Sequence, residues 1–219
     1  MTKSSETPRI RYDEGCLAAH ALNIIGDRWA LLVARELMFT PKRFQAIRAG
    51  MPGITAGVLT QRLAQLTEAG VVEHDAALGI YALTPSGKAL HPVLIALCHW
   101  GSQHEGHDPC RFISPSALII SMTSKIDHAA AAGQGITAGF ELGREGFQTR
   151  ITPDGALDAT ATAAPTGDFL LRGDGNAMAR VIYGPRPVAH WVDAGEVGLV
   201  GDAGAAQRFV DLFSLRNGI

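Results

Sequence analysis

Cys98-His99-Trp100-Gly101-Ser102-Gln103-His104-Glu105-Gly106-His107-Asp108-Pro109-Cys110 gathers two thiols and three imidazoles within thirteen residues, groups that zinc or copper takes as ligands. The spacings match no common structural zinc pattern, and the stretch lies where an apolar helix runs out into a polar junction, so neither a metal nor another cofactor is expected. Catalytic chemistry is equally thin. There is no Gly-rich phosphate loop, and His190 and Asp193, three apart, have no nucleophile beside them, so the chain is not expected to be an enzyme. The clearest chemistry is hydrogen bonding, in the stretch from Gly53 to Gly70. Thr55 suits a helix N-cap and Gly70 a left-handed helix end, while Leu59, Leu63 and Leu66 form one apolar stripe with Val58 on its flank. Gly57, Thr60, Gln61 and Ala64 fall opposite, where small side chains allow close approach and Thr and Gln both donate and accept. Such a face suits the mixed donors and acceptors of the DNA major groove. Taken alone, the segment fits an ordinary amphipathic surface helix equally well.

The elements around it favour DNA. Helices are expected from Cys16 to near Gly26, from an Asp27 cap through Trp29, Leu32, Val33 and Leu37, and from Pro41 through the pair Phe44 and Ile47. Gly50-Met51-Pro52-Gly53 is a tight connection, and a short helix, a turn and a longer helix is helix-turn-helix grammar. Val71 to His74 and Ile80 to Leu83 read as a hairpin, or wing, around Asp75 to Gly79. Thr84-Pro85-Ser86-Gly87 leads into a helix whose apolar face holds Leu90, Val93, Leu94, Leu97 and Trp100. That face is either a dimer contact or packed inside its own domain. Between Asp27 and Arg62 six basic residues stand against two acidic ones, a local positive patch that the overall charge of −2 hides.

Residues 16 to 101 resemble the HxlR family of winged-helix transcription regulators, relatives of the MarR group. The resemblance is carried by Cys16, Gly26-Asp27-Arg28-Trp29-Ala30-Leu31-Leu32, Arg35-Glu36-Leu37, Lys42-Arg43-Phe44, Gly53-Ile54-Thr55, Val58-Leu59-Thr60-Gln61-Arg62-Leu63, Leu66 to Val72, Tyr81 to Gly87 and Trp100-Gly101. It implies a homodimer that places one recognition helix per subunit in successive major grooves of a double-stranded, pseudo-palindromic operator. Two departures stand out: Phe39-Thr40 replaces a Gly usual before the Arg-Phe pair, and the wing is short and acidic, which shifts sequence reading onto the helix. Arg43 and Arg48 are then the expected phosphate contacts, with Thr55, Ala56, Gly57, Thr60 and Gln61 near base edges. Trp29 belongs to the core, and Arg62 serves either an internal ion pair or DNA. In some members of that family the N-terminal cysteine senses oxidants or electrophiles, and Cys16 holds that position; a half-buried, quiet thiol is the other reading.

Beyond Pro109 the texture changes. A helix is expected over 114–132 with Leu118, Ile119, Met122 and Ile126 on one face, followed by alternating strands around Gly143-Arg144-Glu145-Gly146 and Asp154-Gly155 that make an antiparallel sheet. Two helices, Ala177 to Tyr183 and Val188 to Asp193, a strand from Val197 to Gly201, and a closing helix holding Ala206, Phe209, Val210, Leu212 and Phe213 complete the chain. This order, with Gly195-Glu196-Val197-Gly198-Leu199-Val200-Gly201-Asp202 before the last helix, resembles the sterol-carrier-protein type 2 fold over roughly 114–215. The resemblance implies an apolar tunnel for a hydrophobic molecule, lined by residues such as Phe140, Phe147, Phe169, Met178, Ile182, Trp191, Phe209 and Phe213; each fits plain core as well.

The expected fold class is therefore α+β, with a winged helix-turn-helix domain over 1–108 and a sterol-carrier-like domain of antiparallel sheet and packed helices over 109–219. A chain of 219 residues accommodates two such units, and 47% hydrophobic residues suffice for their cores. The polar start, read as a flexible arm over 1–14, and the lack of any apolar run near the ~20 residues of a membrane span point to a cytoplasmic protein without membrane contact. Three cysteines in such a chain suggest free thiols. The function expected is sequence-specific transcription regulation, with an apolar effector in the second half. Two alternatives stay open: a thiol-based redox or electrophile sensor using Cys16, and a lipid-binding carrier whose winged-helix half binds proteins.

Overall fold

The computed structural model describes residues 11–215. Residues 1–10 of the expected arm lie outside the described residues. At Tyr12 the chain is already pinned: its backbone N–H donates to Asn23 Oδ1 (2.8 Å) and its carbonyl accepts from Asn23 Nδ2 (2.9 Å).

The first part contains α1 (Leu17–Ile25), α2 (Ala30–Leu37), β1 (Lys42–Arg43), α3 (Phe44–Ala49), α4 (Ala56–Glu68), β2 (Val72–Asp75), β3 (Ile80–Leu83), α5 (Pro85–Lys88) and α6 (His91–Gly101). Leu59, Leu63 and Leu66 of α4 pack with Val33 and Leu37 of α2, Ile47 of α3, and Val72 and Leu83 of the hairpin, which makes one closed apolar core. Three local expectations need correction. Pro41 does not open the third helix: Lys42 and Arg43 pair with Tyr81 and Ile80 and make a sheet of order β1-β3-β2, because the edge of β3 offers their backbone groups partners. Asp27 caps a turn rather than α2 itself, accepting from the Trp29 N–H (2.8 Å). Thr84 caps only α5, and α6 starts separately at His91.

The second part contains α7 (Pro115–Lys125), α8 (His128–Ala131), β4 (Thr137–Leu142), β5 (Glu145–Ile151), β6 (Leu157–Ala161), β7 (Phe169–Gly173), α9 (Gly175–Tyr183), α10 (Val188–Asp193), β8 (Gly198–Gly201) and α11 (Ala203–Val210). Helices α7, α9 and α11 cover a five-stranded sheet of order β6-β5-β4-β7-β8, and their facing side chains form a second core. The sheet is mixed and not antiparallel throughout, since β7 lies parallel to β4. Asp168 fixes that pairing: its carboxylate accepts from the Thr137 N–H (2.8 Å) and hydroxyl (3.0 Å), and its own N–H donates to the Thr137 carbonyl. These donors hold the Asp168 carboxyl below the usual carboxylate range. The helix expected over 114–132 is interrupted, because Ile126 is extended and bridges Phe213. For the same reason the closing helix ends at Val210, short of Leu212 and Phe213.

The two parts meet through Phe39, which follows α2 yet packs edge-on against Phe147 of β5 (5.5 Å between centroids) and against His91 (6.2 Å). Burial lowers the pKa of His91, so the imidazole at this seam favours its neutral form. Among the described residues no helix is long and apolar enough to cross a membrane.

Candidate nucleic-acid interface

Thr55 begins α4 as a true cap: its hydroxyl accepts the Val58 N–H at 3.3 Å, satisfying an otherwise orphaned donor of the first turn. Gly53, at φ +87°, supplies the left-handed step that aims the helix away from α3. With the leucine stripe buried, Thr55, Ala56, Gly57, Thr60, Gln61 and Ala64 are left exposed along one side. Thr60 donates its hydroxyl hydrogen to the Ala56 carbonyl (3.0 Å), so towards an outside partner it can act only as an acceptor. Gln61 keeps both its donors and its acceptor free among the described residues. The helix thus offers one bifunctional amide beside small residues, a combination fitted to a base edge.

The positive patch is smaller in space than in sequence. Three of its six cations are spent internally. Arg62 pairs with Asp27 (3.0 Å) and also reaches Gln65, so its guanidinium is engaged in an internal ion pair. Arg35 pairs with Glu36 (2.8 Å) and donates to the Gly50 carbonyl (2.9 Å). Lys42 is buried. Arg28, which lies over the half-buried ring of Trp29 at 4.9 Å, Arg43 on β1 and Arg48 at the end of α3 remain exposed. Arg43 and Arg48 have no ion pair among the described residues, and both acids of the patch are consumed by the internal pairs, so these exposed guanidiniums act unopposed. The wing adds no cation: the Asp75 carboxylate accepts the Ala77 and Leu78 N–H groups (2.9 and 3.0 Å) to close the turn, and His74 stacks on Tyr81.

The buried group behind this surface was not anticipated from the sequence. Glu36 is 1% exposed, and its carboxylate accepts from Arg35 Nε (2.9 Å), Ser114 Oγ (2.6 Å) and Lys42 Nζ (3.4 Å). Lys42 in turn reaches Ser116 Oγ (3.1 Å) and Glu145 (2.8 Å). Gly50 lies directly under Glu36, where any Cβ would overlap the carboxylate. A signal was present: Glu36 is three residues after the buried Val33, on the apolar side of its helix.

The remaining candidates are scattered. Cys16 is exposed at the start of α1, and Cys110 is exposed as well. Cys98 is half-buried; burial pushes its thiol up, and nearby Arg35 and Lys125 only partly offset this, so it is a poor thiolate ligand. Among the described residues no three His, Cys, Asp or Glu side chains converge as metal ligands. Phe140, Phe147, Phe169, Met178, Ile182, Phe209 and Phe213 are interior residues of the second core, with Trp191 half-buried at its edge. Phe209 is the hub, its ring 5.4 Å from Phe169, 5.0 Å from Phe213 and 5.9 Å from Phe140. These rings pack into the same interior as the aliphatic side chains of the second core.

The HxlR-like helix-turn-helix family model matches residues 24–109. An uncharacterized HTH-type transcriptional regulator of Synechocystis sp. is 30% identical over 115 residues, spanning 50% of this chain and 85% of the relative. One from Methanothermobacter thermautotrophicus is 34% identical over 97 residues, 42% of this chain and 74% of the relative. The reduced form of the transcriptional regulator YodB from B. subtilis overlaps 43% of this chain and 100% of its own at 32% identity, with a TM-score of 0.38. With the family model and the Synechocystis and Methanothermobacter relatives in agreement, the chain belongs to the HxlR-like helix-turn-helix family and is a DNA-binding transcription regulator.

Proposed function

We propose that the protein binds its operator as a homodimer, with α4 of each copy in the major groove. The observation that carries this reading is the exposed, unpaired Gln61 in a row of small residues, flanked by unopposed Arg43 and Arg48. The arginines hold phosphates and so set register. Thr55, Ala56, Gly57, Thr60 and Gln61 face base edges, and the short acidic wing contributes little. Gln61→Ala should cost about 1–3 kcal/mol of discrimination between operator and random DNA, the worth of a bidentate amide contact. Arg43→Ala should weaken both DNAs alike and flatten the salt dependence by about one unit of slope. Fluorescence anisotropy with the upstream region of the protein's own gene checks both; an unchanged ratio for the Gln61 variant would mean that another face docks.

Support for the dimer comes from α6, where Val93, Leu97 and Trp100 (63% exposed) stand in solvent on one helix side. Placing a charge there by Trp100→Asp should give monomers in sedimentation at micromolar concentration while the far-UV spectrum is kept. A variant that remains dimeric would move the interface elsewhere.

The second half, over 109–219, is read as an effector module of sterol-carrier-protein type 2-like build, separate from a winged-helix domain over 1–108. Its own hydrophobic core and the helices laid on one sheet support that reading, as does the aromatic interior for an apolar effector. A protein acting on the chromosome of its cell would work in the cytoplasm. The exposure of Cys16 favours a second, thiol-based mode of control; operator binding that ignores quinone or peroxide equally in wild type and Cys16→Ser excludes it.

A further inference from the structure

A cleft of about 530 Å³ opens where the two halves meet, walled by Thr40 ahead of β1 and by Glu141, Arg144, Glu145, Thr162 and Pro165 of the sheet and its loops. Its volume lies in the usual range of small-molecule sites, about 300–1,000 Å³. Of the charged groups in its wall, Glu141 is neutralised by Arg172 (2.7 Å) and Glu145 by Lys42 (2.8 Å). Arg144, exposed at the β4–β5 turn, has no partner among the described residues. The Thr162 hydroxyl accepts from the Ala164 N–H (3.3 Å), so its own hydrogen remains available for donation at the cleft wall. One unopposed guanidinium beside a hydroxyl donor recognises a carboxylate, for which arginine provides two parallel N–H donors.

We propose that this junction cleft binds a small organic carboxylate, and that its occupancy is transmitted to the DNA-reading helix. The proposal is distinct from an apolar ligand in the interior, and only its regulatory meaning rests on the effector-responsive reading above. Glu145 is the hinge of the transmission. It forms part of the cleft wall and is also the outer end of the chain Glu145–Lys42–Glu36–Arg35, whose last member holds the Gly50 carbonyl just before the turn into α4. Lys42 also adjoins Arg43 in β1. A carboxylate seated at Arg144 adds negative charge beside Glu145, so it binds best when Lys42 stays between the two acids. The occupied cleft therefore favours the closed chain and fixes the turn that aims α4. The bound anion shifts the population towards this arrangement, which binds it better, and the coupling is reciprocal with DNA.

The test uses the full chain and a panel of benzoate, phthalate, 2-oxoglutarate and citrate. Calorimetric titration without DNA should find saturable binding of at least one of them at one site per chain. Arg144→Glu should weaken that binding at least tenfold with no change in thermal midpoint, because Arg144 touches nothing that holds the fold. Operator affinity should then change about fivefold or more in the presence of the bound anion in wild type, and not in Arg144→Glu. Absence of binding by all four anions, or equal binding by Arg144→Glu, overturns the site. Binding that leaves operator affinity untouched overturns the transmission. Loss of all DNA binding in the wild type at low salt, with anion binding intact, would fault the docking reading and leave the site standing.

Discussion

Lys42→Met should lower the stability of the folded chain by about 3–5 kcal/mol, the range for removing one partner of a buried ion pair. The side chain is 4% exposed and its ammonium faces two carboxylates, Glu36 at 3.4 Å and Glu145 at 2.8 Å. Methionine fills the volume but leaves Glu36 with only Arg35 and Ser114 to balance a charge that water cannot reach. Glu145, with a quarter of its side chain in solvent, recovers part of its loss by hydration, so most of the cost falls on Glu36. Chemical denaturation at fixed protein concentration measures the effect. The double variant Glu36→Gln with Lys42→Met should cost less than the two single changes added together, since it removes both charges. A loss under about 1 kcal/mol would show that the pair is solvated, which the value for exposed pairs describes, and would cut the link between the cleft and α4.

Phe209→Ala should destabilise the second half by about 3–5 kcal/mol, the usual range for truncating a buried aromatic. Its ring is fully buried and meets three other phenylalanines, so the cavity left behind has rigid walls on several sides. The same variant distinguishes core from ligand space. Were Phe209 lining a preformed apolar tunnel, its removal would enlarge an existing void, cost well below that range and raise the uptake of a hydrophobic probe. Thermal unfolding followed by near-UV circular dichroism, with a fluorescent fatty-acid analogue added, separates the two.

Helix α4 is legible from its residues because everything that defines it is close in the chain. The Thr55 cap needs Val58, the leucine stripe needs only the helical period, and Gly70 ends the helix by its own left-handed conformation (φ +69°). The wing turn is equally local, closed by Asp75 on its own neighbours. The strand β7 (Phe169–Gly173) is not legible in the same way, because a short apolar run such as Phe169-Leu170-Leu171 carries no period that separates strand from helix. Its direction beside β4 is set by the Asp168–Thr137 bonds, 31 positions apart. The break at Ile126 likewise depends on Phe213, a residue of the far end of the chain.

By itself, then, the sequence determined the local elements of the helix-turn-helix half and its family, since caps, periods and turns act over a few residues. Which charges stay exposed around α4 was decided only by the tertiary structure. Arg43 and Lys42 are adjacent in sequence and both basic, yet one is exposed and the other lies between Glu36, six positions away, and Glu145, 103 positions away. No local pattern encodes that difference, because burial of a charge is set by whatever the rest of the chain brings to it. The same packing put seven of the eight apolar candidates in an interior, left Trp191 at its edge, and opened the cleft at the seam.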